Sequence, residues 1–114
     1  MADLLTNAKK LYQGQLAATE TTLATVGSGK KWIILHFMIA NTDTVSHTFG
    51  LSRVPNGGSA GNANRIISTD TSIDAGDSIS FGDLFIVMDT AGDFLSGIAD
   101  EASKLTVTIS GCEV

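Results

Sequence analysis

Apolar and polar residues alternate with period two along most of this chain, and short polar turns interrupt the alternation at roughly ten-residue intervals. The last segment shows it most clearly. Leu105, Val107, Ile109 and Gly111 alternate with Thr106, Thr108 and Ser110, the pattern of a strand with one buried and one wet face. Similar segments cover residues 11–17, 21–26, 32–40, 46–54, 65–68, 78–88, 94–99 and 104–113, with 71–74 as a further short extended piece. Residues 32–40 are almost continuously apolar, which predicts burial on both faces, by the core on one side and by core or partner on the other. The punctuation is turn chemistry: Asn41-Thr42-Asp43-Thr44, Ala75-Gly76-Asp77 and Ala91-Gly92-Asp93 pair side chains that bond their own backbone with glycines free to adopt positive φ. Val26-Gly27-Ser28-Gly29-Lys30-Lys31 reads as the turn of a hairpin between 21–26 and 32–40, and Gly82 as a bulge in the strand 78–88. The pattern predicts an all-β protein, an antiparallel β-sandwich of jelly-roll type with about eight strands.

Two segments stand outside it. Residues 1–10 read as an N-terminal arm, where Asp3 caps a short helix carrying Leu4, Leu5 and Ala8 on one face. Residues 11–114 then form a single sandwich domain. Residues 55–64 (Pro-Asn-Gly-Gly-Ser-Ala-Gly-Asn-Ala-Asn) have no apolar periodicity and read as a surface loop.

Composition narrows the function classes. At 114 residues and 43% hydrophobic the chain suits one core. No apolar run reaches the ~20 residues that a spanning helix needs, and the N-terminus lacks the order of a signal peptide, so no membrane association and synthesis in a cytoplasm are expected. A net charge of −5 argues against a nucleic-acid partner, which calls for a basic face. The single cysteine, Cys112, forms no intrachain disulfide and reads as a small buried residue. One proline in the whole chain leaves its strand edges without that device against edge pairing, which points to edges covered by something else.

Candidate chemistry is sparse. His36 and His47 fall near opposite ends of their strand region, with no third ligand at metal spacing. Asp70, Asp74, Asp77, Asp89 and Asp93 sit where β-turns use aspartate for local reasons, and no EF-hand spacing accompanies them. There is no nucleophile elbow and no phosphate loop. We therefore expect no catalytic residue, no metal and no cofactor. Trp32, Tyr12, Gln13, Gln15, Asn41, Asn56, Asn62 and Asn64 are the types that build sugar sites. If the loop recognises a ligand, Asn56, Gly57, Gly58, Asn62 and Asn64 are its recognition residues.

The run Leu11-Tyr12-Gln13-Gly14-Gln15-Leu16-Ala17-Ala18-Thr19-Glu20-Thr21-Thr22-Leu23, the Gly-Lys turn after it, the apolar strand ending Ala40-Asn41-Thr42-Asp43-Thr44, and Ile73-Asp74-Ala75-Gly76-Asp77 together resemble small β-sandwich virion structural proteins of tailed bacteriophages. The likeness runs through most of residues 11–110. Where members of that group carry proline in the first turn, this chain has Gly27 and Ser28, which loosens the turn. The resemblance implies a non-enzymatic virion protein. It favours a capsid decoration protein, a homotrimer that binds the major capsid protein or other virion proteins and stabilises the assembled head. On that reading Leu4, Leu5, Lys9 and Lys10 of the arm contact the capsid or a neighbouring copy. The alternatives within the resemblance are a receptor- or glycan-binding module of a head fibre or tail tip, and a neck or tail subunit.

Overall fold

In a computed structural model, residues 7–114 are described, and they build nine strands in two antiparallel sheets. One sheet runs β1 (Ala8–Gln15), β9 (Leu105–Glu113), β3 (Trp32–Asn41), then β6 (Ser78–Phe81) and β7 (Ile86–Met88), which both pair with the outer edge of β3. The other runs β2 (Thr21–Thr25), β8 (Phe94–Ala99), β4 (His47–Val54), β5 (Arg65–Ile73). Counting β6 and β7 as one interrupted strand, this order is the eight-stranded jelly roll that the alternation predicts. The helix expected near the N-terminus lies mostly outside the described residues, as do Leu4 and Leu5. From Ala8 on the chain is extended, and Ala8, Lys9 and Lys10 pair with Cys112, Gly111 and Ser110.

The expected hairpin at residues 26–31 does not exist. β2 pairs with β8 and β3 with β9, so the Gly-Lys turn carries the chain from one sheet to the other. The turns at 42–46, 74–77, 89–93 and 100–104 also cross between sheets. The loop 55–64, by contrast, joins the neighbours β4 and β5 within one sheet. Residues 65–68 and 71–74 merge into β5, whose pairing with β4 slips at Gly50, where Thr69 presses so closely that a Cβ would meet its Cγ2 at 2.7 Å.

The core forms where the inner faces meet. Ile34, Phe37, Ile39, Leu105, Val107 and Ile109 from one sheet lie against Phe49, Leu51, Ile73 and Leu95 from the other, and all are buried. Strand β3 keeps this face despite an irregularity. Its register with β9 shifts between Ile34 and His36, so Leu35 is an extra residue. That insertion lets both Ile34 and Phe37 point inward, with Ile33, His36 and Met38 on the other side. On the opposite edge of β3, Leu35 and His36 lie across from the four residues 82–85, which loop out between β6 and β7. A hydrogen bond from the Leu84 N–H to the Leu35 carbonyl, at 3.3 Å, spans the gap. The bulge expected at Gly82 is thus a full interruption, and Asp83 adopts φ 56° within it.

Gly111 marks where β9 passes closest to β3: a Cβ there would stand 2.0 Å from the Ile33 carbonyl oxygen. Gly111→Ala is expected to destabilise the fold by more than about 2 kcal/mol in urea denaturation, because backbone on both strands must move. Gly61→Ala, where a Cβ meets nothing within 4 Å, is the matched control and should stay within about 0.5 kcal/mol of wild type.

Candidate functional site

Three features carry chemistry beyond the core: a charged cluster at one end, a cleft at the other, and the outward face of the β1-β9-β3 sheet. The end holding the 42–46, 74–77 and 100–104 turns is braced by Asn41 and His47. Asn41 is buried, and its amide donates to the carbonyls of Val45, Ile73 and Asp74 at 3.0–3.2 Å, while its oxygen accepts the Asp43 N–H at 3.0 Å. His47, only 3% exposed, has carboxylates on both ring nitrogens: Asp43 Oδ2 lies 2.8 Å from Nε2 and Asp100 Oδ1 2.9 Å from Nδ1. A neutral imidazole donates through one nitrogen only and turns a lone pair toward the other carboxylate, whereas the imidazolium satisfies both. The Asp43 hydrogen bond therefore raises the His47 pKa above 6.5, with burial opposing it and Asp100 adding to it. Asp43 is held below 3.8 by its bond to His47, by the Thr44 N–H and by Lys104, whose Nζ is 3.8 Å away.

The structure corrects two readings of the histidines. They stand on strands of different sheets, His36 on β3 and His47 on β4. Also, His47 has acidic neighbours that linear spacing did not reveal, because Asp100 and Glu101 arrive from a distant turn. The ligand atoms of Asp43, His47 and Glu101 lie within 4.8 Å of one another. Both His47 nitrogens are already engaged, so the arrangement is that of an ion-paired brace. The aspartates considered for calcium do not converge: Asp74 and Asp77 sit at this end, Asp89 and Asp93 at the other, and Asp70 within β5. Their visible roles are structural: Asp77 accepts the Ser78 N–H within its turn, and Asp93 accepts those of Thr90 in its own turn and of Asn56 in the facing loop.

At the other end, a cleft of about 350 Å³ opens between the 55–64 loop and the 89–93 turn, with Arg53, Asn64, Val87, Asp89 and Asp93 in its lining. Of the loop residues singled out, Asn64 reaches the cleft, with its amide fixed on the Ser59 carbonyl at 2.8 Å. Asn56 ties the loop to Asp93 through its backbone N–H, Gly57 supplies φ 83°, and Asn62 opens a single 3₁₀ turn beyond Gly58. Of the arm residues, Lys9 is paired with Glu113 at 2.9 Å. Glu113 also accepts the Trp32 indole N–H at 2.8 Å, and these bonds, the indole's first, hold its carboxyl below the ordinary 4.5. Lys10 is exposed and donates to the Gln13 side chain at 3.2 Å.

The outward face of the β1-β9-β3 sheet follows from the register. Its transverse rows are Ala8–Cys112–Ile33–Val87, Lys10–Ser110–His36, Gln13–Thr108–Met38–Ser80 and Gln15–Thr106–Ala40–Ser78. None of the rows contains a carboxylate, although the chain has 12. Met38 is 44% exposed, Val87 41%, and Phe85, in the looped-out segment beside them, 72%. The other sheet differs. There Glu20 and Arg65 form an ion pair, and Glu20 also accepts from buried Ser96 at 2.7 Å while Arg65 donates to buried Ser52 at 2.9 Å. The apolar run 32–40 pointed to a core or a partner on its second face; within this chain that face is left open at Met38, and the Leu35 insertion, which the uniformly apolar sequence does not show, sorts the two sides.

No family model matches the sequence, and no curated protein matches it. Among solved structures, the chain is similar to the Drosophila NLP core, described for its pentamer formation and histone binding, with TM-score 0.50 and 14% identity over 93% of this chain and 99% of that one. It is similar to a protein of infectious bursal disease virus, Gx strain, with TM-score 0.49 and 14% identity over 93% of this chain and 31% of that one. It is also similar to a chain of the cyanophage Pam1 capsid, with TM-score 0.49 and 13% identity over 93% and 84%. At these identities the likeness speaks to the sandwich fold alone.

The brace has a pH signature. Because the His47 pKa is raised on folding, its stabilisation is complete below 6.5 and is lost as pH rises through the folded value. Because that of Asp43 is lowered, its stabilisation is present above 3.8 and is lost as pH falls through the folded value. The melting temperature should therefore decline on the alkaline side of about pH 6.5. His47→Gln should lower it at pH 6 and flatten the alkaline decline. A decline equally steep in the variant would remove His47 from its cause.

Proposed function

We propose that this chain is a non-enzymatic virion structural protein of a tailed bacteriophage, and within that class a capsid decoration protein that binds the assembled head. The supporting observation is an association surface of the kind a virion subunit needs: the outer sheet face, whose four rows carry no carboxylate and where Met38 and Val87 are exposed beside Phe85. Exposed apolar patches on otherwise charged proteins mark contact surfaces. The sandwich interior is filled by side chains, so what this molecule offers a partner is surface. Decoration would stabilise a shell by mass action, because a protein that binds the lattice better than free subunits shifts the balance toward the particle. Contacts made by an oligomer would add avidity. The Drosophila NLP core, whose sandwich is similar, is described for pentamer formation, which is in keeping with an oligomer.

The cleft favours a second reading, a receptor- or glycan-binding module of a head fibre or tail tip. Arg53, Asn64, Asp89 and Asp93 are the donors and acceptors that such recognition uses, and Asn64 brings the 55–64 loop into it.

The test is copy number per virion, by quantitative mass spectrometry of purified particles against the major capsid protein. Hundreds of copies in simple ratio to the capsid subunit are expected. A few copies to a few tens would favour the second reading or a neck or tail subunit, and absence from particles would overturn the virion role. The arm has its own test. Deleting residues 2–6 should leave the sandwich folded and reduce occupancy on capsids. Deleting 2–10 should also weaken the fold, since Ala8, Lys9 and Lys10 pair with β9. Full occupancy after removal of 2–6 would dismiss Leu4 and Leu5 as anchors.

A further inference from the structure

This inference rests on the assembly role proposed above and names the partner of the exposed sheet face. We propose that the outward face of the β1-β9-β3-β6/β7 sheet binds a second copy of this chain, stacked face to face about a two-fold axis parallel to the strands.

Charge is the first argument. Each copy carries −5, so two copies repel wherever their carboxylates meet. Those carboxylates crowd the turns at both ends, and Glu20 lies against the other sheet through Arg65 and Ser96. The four outward rows of the β1-β9-β3 sheet carry none, and there two acidic copies can approach closely.

The second argument is complementarity between the margins. In the row Lys10–Ser110–His36, Lys10 sits at the β1 margin. Beyond His36 that row meets the looped-out segment: a Cβ on Gly82 would stand 3.6 Å from the His36 ring, and Asp83 follows, exposed. One margin is thus basic and the other acidic at the same height along the strands. A two-fold axis parallel to the strands lays β1 of one copy over β6 and β7 of the other. Lys10 then faces the partner's Asp83, and the symmetry makes the pair twice. Between the two pairs, Met38 meets the uncharged rows of the second copy, while Val87 and Phe85, at the Asp83 margin, lie over its β1. Such an isologous contact closes at a dimer and leaves no face for further stacking. This predicts a dimer, in place of the trimer, for the isolated chain.

Area sets the strength. Four strands ~4.8 Å apart, over about seven residues rising ~3.4 Å each, give roughly 450 Å² of flat face per copy. That falls at the transient end of interface sizes, so the dimer should be reversible and concentration-dependent.

The experiment is sedimentation equilibrium of the full chain at low salt from about 10 μM to about 1 mM. Reversible monomer–dimer behaviour is expected. Lys10→Glu and Asp83→Lys should each weaken the dimer about tenfold, because each breaks both symmetric pairs, and the double charge swap should recover most of the loss. Val87→Asp should leave a monomer with an unchanged melting temperature; should it fail to fold, the Lys10 and Asp83 variants decide alone. A wild-type monomer throughout, an oligomer of another order, or losses that add in the double swap would overturn the proposal. A monomer here leaves the copy-number reading intact, and absence from virions leaves the dimer intact, so the two failures are distinguishable.

Discussion

The structure depends on strand β3 being paired along both edges while one extra residue re-phases its side chains. β3 holds β9 on one side and β6 with β7 on the other, so it carries the hydrogen bonding of its sheet. Without the insertion at Leu35, strict alternation would turn either Ile34 or Phe37 out of the core, since an odd spacing cannot keep both on one face. With it, both are buried at 1% exposure or less. The same insertion accompanies the break in the opposite strand, where residues 82–85 loop away and present Asp83 and Phe85 outward. Core packing and the character of the outer face thus trace to one irregularity in one strand.

Charge is distributed to match. Most carboxylates occupy the turns, where they bond backbone N–H groups or brace crossings, as Asp43 and Asp100 do around His47. This leaves the rows of the β1-β9-β3 face to threonine, serine, glutamine and apolar side chains, with Lys10 and His36 in one row. The described chain enters β1 at the end of the sandwich where β9 finishes, beside the Lys9–Glu113–Trp32 contacts.

How much of this was legible in the sequence follows from the range of each signal. Strands were legible because period-two alternation and turn residues are local, and 94–99 matches β8 residue for residue. Pairing was not. Val26-Gly27-Ser28-Gly29-Lys30-Lys31 has the chemistry of a tight turn, but a turn does not state whether the strands it joins lie side by side or in facing sheets. In a jelly roll most successive strands change sheet, so the hairpin reading failed there while the strand reading held. The His47 brace was half legible: Asp43 is four residues away, but Asp100 is 53 residues away and is brought in by the β8–β9 crossing. For the recognition loop, the sequence identified a surface segment and only the fold could show that Asn64 meets a cleft.

The central claim is that the re-phased outer face of the β3 sheet is an association surface. Methionine labelled with ¹³C at the methyl tests it directly, because Met38 lies on that face at 44% exposure and Met88 is buried on the inner side at 1%. In a dilution series followed by NMR, the Met38 methyl should shift continuously with protein concentration while the Met88 methyl stays in place. A Met38 resonance that ignores concentration while the protein demonstrably associates would place the contact elsewhere and contradict the account.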